Sequence, residues 1–154
     1  MEIAVDYYLK KIHAVKEARD SEELERQKAV IEHVKANILS TWELKDEMRS
    51  LATIYNELVK CGIEYNGRGA LAFTRLSNRT DIGLTGERDK LVISVLDDGD
   101  VLDMSFNGYD AYQAVCDPKT EYRWISNFAT LLFKFLVHYG DFRDNFLEYV
   151  DNLK

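Results

Sequence analysis

One proline, two cysteines and no apolar run long enough to span a bilayer set the outer bounds on this 154-residue chain. The scarce proline and eight glycines exclude a collagenous or linker-like composition. Cys61 and Cys116 stand far apart and match no CxxC or other metal-ligand spacing, so reduced thiols are expected, a disulfide between them being the lesser expectation. The N-terminus, MEIAVDYYLKKIHAVKEARD, interrupts its apolar positions with charge every few residues, unlike a signal peptide or an anchor. The longest apolar patch, Phe128 to Phe133, stops at Lys134. No membrane partner is therefore expected, and the expected location is the cytoplasm. With 46% hydrophobic and 31% charged residues the balance is that of an ordinary globular protein, read as a single domain over 1–154.

Positive charge is also in short supply where it would matter. The net charge is −7, which argues against direct binding to a nucleic-acid backbone. Residues 91 to 117 carry six acids and no base, and nearly the whole imbalance comes from them.

What is present is helical periodicity at both ends. Val5, Leu9, Ile12 and Val15 recur at spacings of four and three, which predicts an amphipathic helix over 3–18. Asp20 with Glu23 resembles a capping box, so a second helix is expected after it, with the stripe Leu24, Ile31, Val34 and Ile38. A second such box, Ser40-Thr41-Trp42-Glu43, predicts a third helix with Leu44, Met48, Leu51, Tyr55 and Leu58 inward, ending at Gly62 with Ile63 closing over its last turn. Short connections between the three favour an N-terminal three-helix bundle over 1–62.

The period changes after Gly62. Asn66-Gly67 marks a turn, Ala70 to Leu76 a short strand, and Ser77 to Asp89 an irregular polar loop. The stretch VLDDGDVLDM then reads as a hairpin over 91–106 with a type I′ turn at Asp98-Gly99. In that register Leu91 pairs with Phe106, Ile93 with Met104, Val95 with Leu102, Leu96 with Val101 and Asp97 with Asp100. One face is then wholly apolar, and a one-residue slip would destroy it. The other face, with Val92, Ser94, Leu96 and Asp103, suggests partial cover by another element. Residues 109 to 116 read either as a further meander strand or as a short helix. Asp117-Pro118 predicts a helix start, Gly140 its end, and Asp141 the cap of a last helix, giving two C-terminal helices over 117–154. The fold class expected is α+β: the bundle, a small antiparallel β-meander over 63–116, and those two helices.

Catalytic and metal signatures are missing. The crowded aspartates lack the alternation and terminal glutamate of a calcium loop. His13, His33 and His138 each stand alone, with no HExxH, and there is no GxSxG elbow. No metal, cofactor or catalytic residue is expected, and the chain is read as non-enzymatic. Two segments carry sharper chemistry. Gly67, Gly69, Gly83 and Gly86 with Arg68, Arg75, Arg79 and Arg88 offer anion-binding amides and guanidinium forks, although neither GxxxxGK[ST] nor GxGxxG occurs. Asp97, Asp98, Asp100, Asp103 and Asp110, with Tyr109 and Tyr112, could imitate nucleic-acid phosphates and occupy a basic groove on a protein partner.

In size and charge the chain resembles phage-encoded inhibitors, among them anti-CRISPR proteins, and immunity proteins that neutralise toxic nucleases. The likeness covers no motif and carries over no residue. The leading expectation is an inhibitor or regulator that binds a basic nucleic-acid-handling protein through the acidic surface. The alternatives are a binder of a small anion, or an enzyme acting on one, using the four arginines, and a structural oligomerisation module, a homodimer formed through an exposed helix face.

Overall fold

The apolar alternation at 91–106 occupies the middle of a five-stranded antiparallel meander in the order β1-β2-β3-β4-β5: Leu71–Arg75, Arg79–Leu84, Leu91–Leu96, Leu102–Phe106 and Tyr109–Asp110. The computed structural model describes residues 2–99 and 102–154. Four helices complete the described residues: α1 (Val5–Trp42), α2 (Lys45–Lys60), α3 (Ala111–Cys116) and α4 (Tyr122–Asp151). The class is α+β, as expected. The hairpin register is the expected one, with Leu91 opposite Phe106, Ile93 opposite Met104 and Val95 opposite Leu102. The pairs Leu96 with Val101 and Asp97 with Asp100 lie outside the described residues.

The turn differs from expectation. Gly99 has a positive φ of 74° but Asp98 does not, and Gly99 N–H donates to Leu96 O at 2.9 Å, so a type I′ turn at Asp98-Gly99 is ruled out. The cause is that Asp97 is held from the side: its N–H donates to Asn78 O in the β1–β2 turn. The type I′ signal lies at Asn107-Gly108, both at positive φ, which joins β4 to β5. Residues 109 to 116 resolve into both readings: two strand residues, then α3. The supposed loop 77–89 contains β2, whose Thr80, Ile82 and Leu84 are buried on the core side.

The helices are fewer and longer than their capping signals suggest. No glycine or proline interrupts 5–42, and strong helix formers with ion pairs such as Glu23–Arg26 and Glu32–Lys35 carry α1 through Asp20. Ser40-Thr41-Trp42-Glu43 forms the end of α1, where Glu43 N–H and Leu44 N–H donate to Ser40 O and Thr41 O, and it caps no helix. The expected three-helix bundle is therefore two helices that do not share a core of their own. α2 packs on β1, β2 and β3, whereas α1 packs on α3 and α4. The C-terminal helices also shift: Asp117 closes α3, its Oδ1 accepting from Lys119 N–H, and α4 starts only at Tyr122. α4 then continues unbroken past Gly140 and Asp141.

One core joins these parts. Ile125, Phe128, Leu132, Phe135, Phe142 and Phe146 of α4 are buried with Ile82, Ile93 and Met104 of the sheet, Met48 and Leu51 of α2, and Val34 and Ile38 of α1. At its β1 end Phe73 stacks on Tyr55 with centroids 4.4 Å apart and meets Phe146 edge-on at 4.8 Å. The opposite sheet face stays outside this core: Val92, Ser94 and Leu96 are half-buried there and Asp103 is exposed.

Two glycines predicted to end helices are expected to respond in opposite ways. Gly62 has φ +70° and ends α2 as expected, with Gly62 N–H donating to Val59 O and Ile63 N–H to Leu58 O. Gly62→Ala should lower stability by about 1 kcal/mol. Gly140 lies inside α4, and a methyl group there would meet nothing closer than the Arg143 side chain at 4.0 Å. Gly140→Ala should raise stability by about 0.5–1 kcal/mol in denaturant unfolding. A loss of stability would mean that α4 is not continuous there.

Candidate interaction surfaces

Four strands bring Thr74, Asp81, Ser94 and Asp103 into one cross-strand row on the face away from the core. Asp81 is only 7% exposed. Arg79 Nε lies 3.2 Å from its Oδ1 without hydrogen-bond alignment, so both atoms are buried with no hydrogen-bond partner. Asp103, on the next strand but one, is exposed.

The aspartates singled out by sequence are not one cluster. Asp97 receives both guanidinium nitrogens of Arg75, at 2.7 and 2.8 Å. That hydrogen-bonded pair holds its carboxyl below its ordinary value. The base missing from 91–117 thus comes from β1, two strands away, and the charge at Asp97 is neutralised. Asp98 is exposed in the turn, and Asp100 lies outside the described residues. Asp110 sits towards the far end of β4, opposite Ser105, where its Oδ1 caps α3 by accepting from Gln113 N–H at 2.9 Å. Tyr109 beside it is 66% exposed and Tyr112 is 38% exposed.

The four arginines do not converge either. Arg75 is bound to Asp97 and Thr80, Arg79 lies against Asp81 on the other sheet face, and Arg88 is exposed in the β2–β3 turn. Arg68 lines a cleft of about 200 Å³ with Tyr65, His138, Asp141 and Asn145. A second cleft, of about 230 Å³, lies where Arg49, Asn56 and Lys60 of α2 face Asp97. Both fall below the ~300 Å³ at which ordinary small-molecule sites begin. Among the described residues no group of three His, Cys, Asp or Glu is placed to hold a metal. Cys61 and Cys116 are exposed free thiols, and no helix is long and apolar enough to cross a membrane.

An exposed apolar stripe lies where the sequence predicted the first helix of a bundle. From Val5 to Glu22 every residue of α1 is exposed, and the first half-buried position is Glu23. Ile3 is 69% exposed, Val5 57%, Tyr8 54%, Leu9 45%, Ile12 60% and Val15 45%. Residues 16–29, KEARDSEELERQKA, then give a segment polar on nearly every side, before Val30, Ile31, Val34 and Ile38 reach the core. A helix that is polar all round is one that crosses solvent. That spacer was the available sign that the first stripe packs on nothing in this chain.

Asp97→Asn tests the neutralised charge. A depressed folded-state value means that the pair stabilises the fold above the ordinary carboxyl value of 3.8 and ceases to do so as pH falls through the lower folded value. The variant should therefore be less stable than the parent at neutral pH, with the gap closing below 3.8. A gap that persists unchanged in acid would assign the loss to something other than this charge pair. No family model, curated protein or solved structure matches this chain.

Proposed function

We propose that this chain is a non-enzymatic protein-interaction domain whose binding element is the apolar tip of α1. The observation that carries the reading is that seven large apolar side chains at 3–15, Tyr7 among them, are held beyond the body by a polar helical spacer. Seven helical residues at 16–22 separate the stripe from Glu23, where α1 first meets the body, a span of about 10 Å. An isolated helix of this length is marginal in water, and exposed apolar patches of several hundred Å² mark interaction sites. Rigid attachment to the core keeps the tip ordered before it binds, which lowers the entropic cost of association.

The full chain carrying Leu9→Glu and Ile12→Glu tests this. Both positions are exposed, so the thermal midpoint should stay close to that of the parent. Bound protein recovered by affinity capture, whether another polypeptide or untagged copies of this chain, should be lost. Equal recovery by parent and variant sinks the reading.

A second reading, an acidic face that blocks a basic nucleic-acid-handling protein, is favoured by Asp103, exposed on the open sheet face. It no longer draws on Asp97 or Asp110, whose carboxylates are engaged within the chain. Complementary charge would make such binding fast and sensitive to salt. Replacing Asp103 by Asn should then weaken capture at low salt and flatten its salt dependence. An unchanged salt profile excludes that face.

A further inference from the structure

We infer that the partner of the α1 tip is a second copy of the same tip, packed antiparallel. The inference rests on the interaction reading above and names its occupant from the order of charge along the stripe. Acids come first, Glu2 and Asp6, and bases follow, Lys10, Lys11 and Lys16. Among the described residues, Lys16 is the one of these five with an ion-pair partner, lying 4.0 Å from Asp20 with both groups largely exposed. A parallel pair would set all three lysines level with their own copies, whereas an antiparallel pair with its axis near Lys10 leaves only Lys10 so placed and sets Lys16 level with Ala4, between Glu2 and Asp6 of the other copy. Reversing one helix sets the acidic end of each tip against the basic end of the other, so the surface complements itself under a two-fold axis, the commonest symmetry of homodimers.

The apolar positions obey the same reversal. Val5, Tyr8, Ile12 and Val15 step three, four and three along one face, with Leu9 beside them. With the axis passing near Lys10, Val5 of one copy meets Val15 of the other and Tyr8 meets Ile12, while Leu9 lies level with Lys11 and packs on its stem. The exposed side chains of Val5, Tyr8, Leu9, Ile12 and Val15 offer on the order of 400 Å² of apolar surface per copy, which with the lysine stems places the pair at the small end of specific interfaces. The polar spacer leaves each body clear of the other's tip.

Two measurements on the full chain test this. Sedimentation at roughly 10–100 µM, the range a short interface of this area supports, should show a mass twice the 17.9 kDa of the monomer. Leu9→Glu with Ile12→Glu should return the monomer mass while leaving the circular dichroism of the body unchanged. A chain monomeric throughout that range overturns the homotypic pairing. If the same variant nevertheless loses a different protein in the capture experiment, the interaction reading stands without it. Orientation is read by disulfide trapping in chains with Cys61→Ser and Cys116→Ser. A mixture of Val5→Cys chains with Val15→Cys chains should cross-link, and neither alone should. Cross-linking of Val5→Cys chains to one another, with no link between a Val5→Cys and a Val15→Cys chain in the mixture, indicates a parallel pair and overturns the proposal.

Discussion

The fold depends on covering α4. This helix of 30 residues buries Phe128, Leu132, Phe135, Phe142 and Phe146 along one side and keeps Leu131 and Leu136 on its flanks, more apolar surface than one neighbour can shield. The sheet takes the main stripe, and α1 and α2 take the flanks. Each buried phenylalanine contributes roughly 1.5–3 kcal/mol relative to exposure, so this contact dominates any single polar link. The polar link that matters orients α2: Glu47 Oε1 accepts from the Tyr139 hydroxyl at 2.9 Å and from Arg143 at 3.0 Å. Burial and the neighbouring carboxylate both push the Tyr139 hydroxyl up from its ordinary value, which keeps it protonated and therefore a donor.

Once α4 sets the size of the helical layer, the overhang of α1 follows. α1 has 38 residues, about 57 Å of helix, but only its part from Glu23 onward lies against the body. Packing therefore nucleates the helix at its C-terminal half, and propagation through Ala14, Ala18, Glu, Lys and Arg carries it outward at little cost per residue. Salt-dependent pairs such as Lys16–Asp20 and Lys28–Glu25 each add a few tenths of a kcal/mol to the exposed spacer. The arm is thus a continuation of a packed helix, which explains how a stripe with no partner in the chain remains helical.

What the sequence made legible was what depends on neighbours along the chain. The hairpin register at 91–106 could be read because only one register gives an all-apolar face, and Gly62 because a left-handed cap is a local geometry. β2 was hidden by Asp81 and Gly83, two poor strand residues; Gly83 is required there because a Cβ would come within 2.7 Å of Val92 on β3. The capping boxes at Asp20 and Ser40 misled because a cap ends a helix only where continuation is costly, and here nothing made it so. Gly140 misled for the same reason, since the burial of Phe135, Tyr139, Phe142 and Phe146 on either side of it outweighs about 1 kcal/mol of lost propensity. Whether the 5–15 stripe was packed could not be read from the stripe itself, because periodicity reports a face and not its partner; only the polar spacer behind it carried that information.

Charge shows the same distinction from the other side. Counting acids along 91–117 overstated the field of the sheet, because strands far apart in sequence lie side by side and Arg75 reaches Asp97 across β2. In a meander, sequence order does not determine which charges are neighbours. On a helix that leaves the body it does, since nothing but the helix's own turns lies within reach and the solvent screens what is farther than about 10 Å. The acid-then-base order from Glu2 to Lys16 is therefore also the order of charge in space, and the −6 of the sheet segment is not. The two readings of this protein's surface separate on that ground: the carboxylates of Asp97 and Asp110 take internal partners when the chain folds, whereas the arm keeps its sequence pattern intact for whatever it meets.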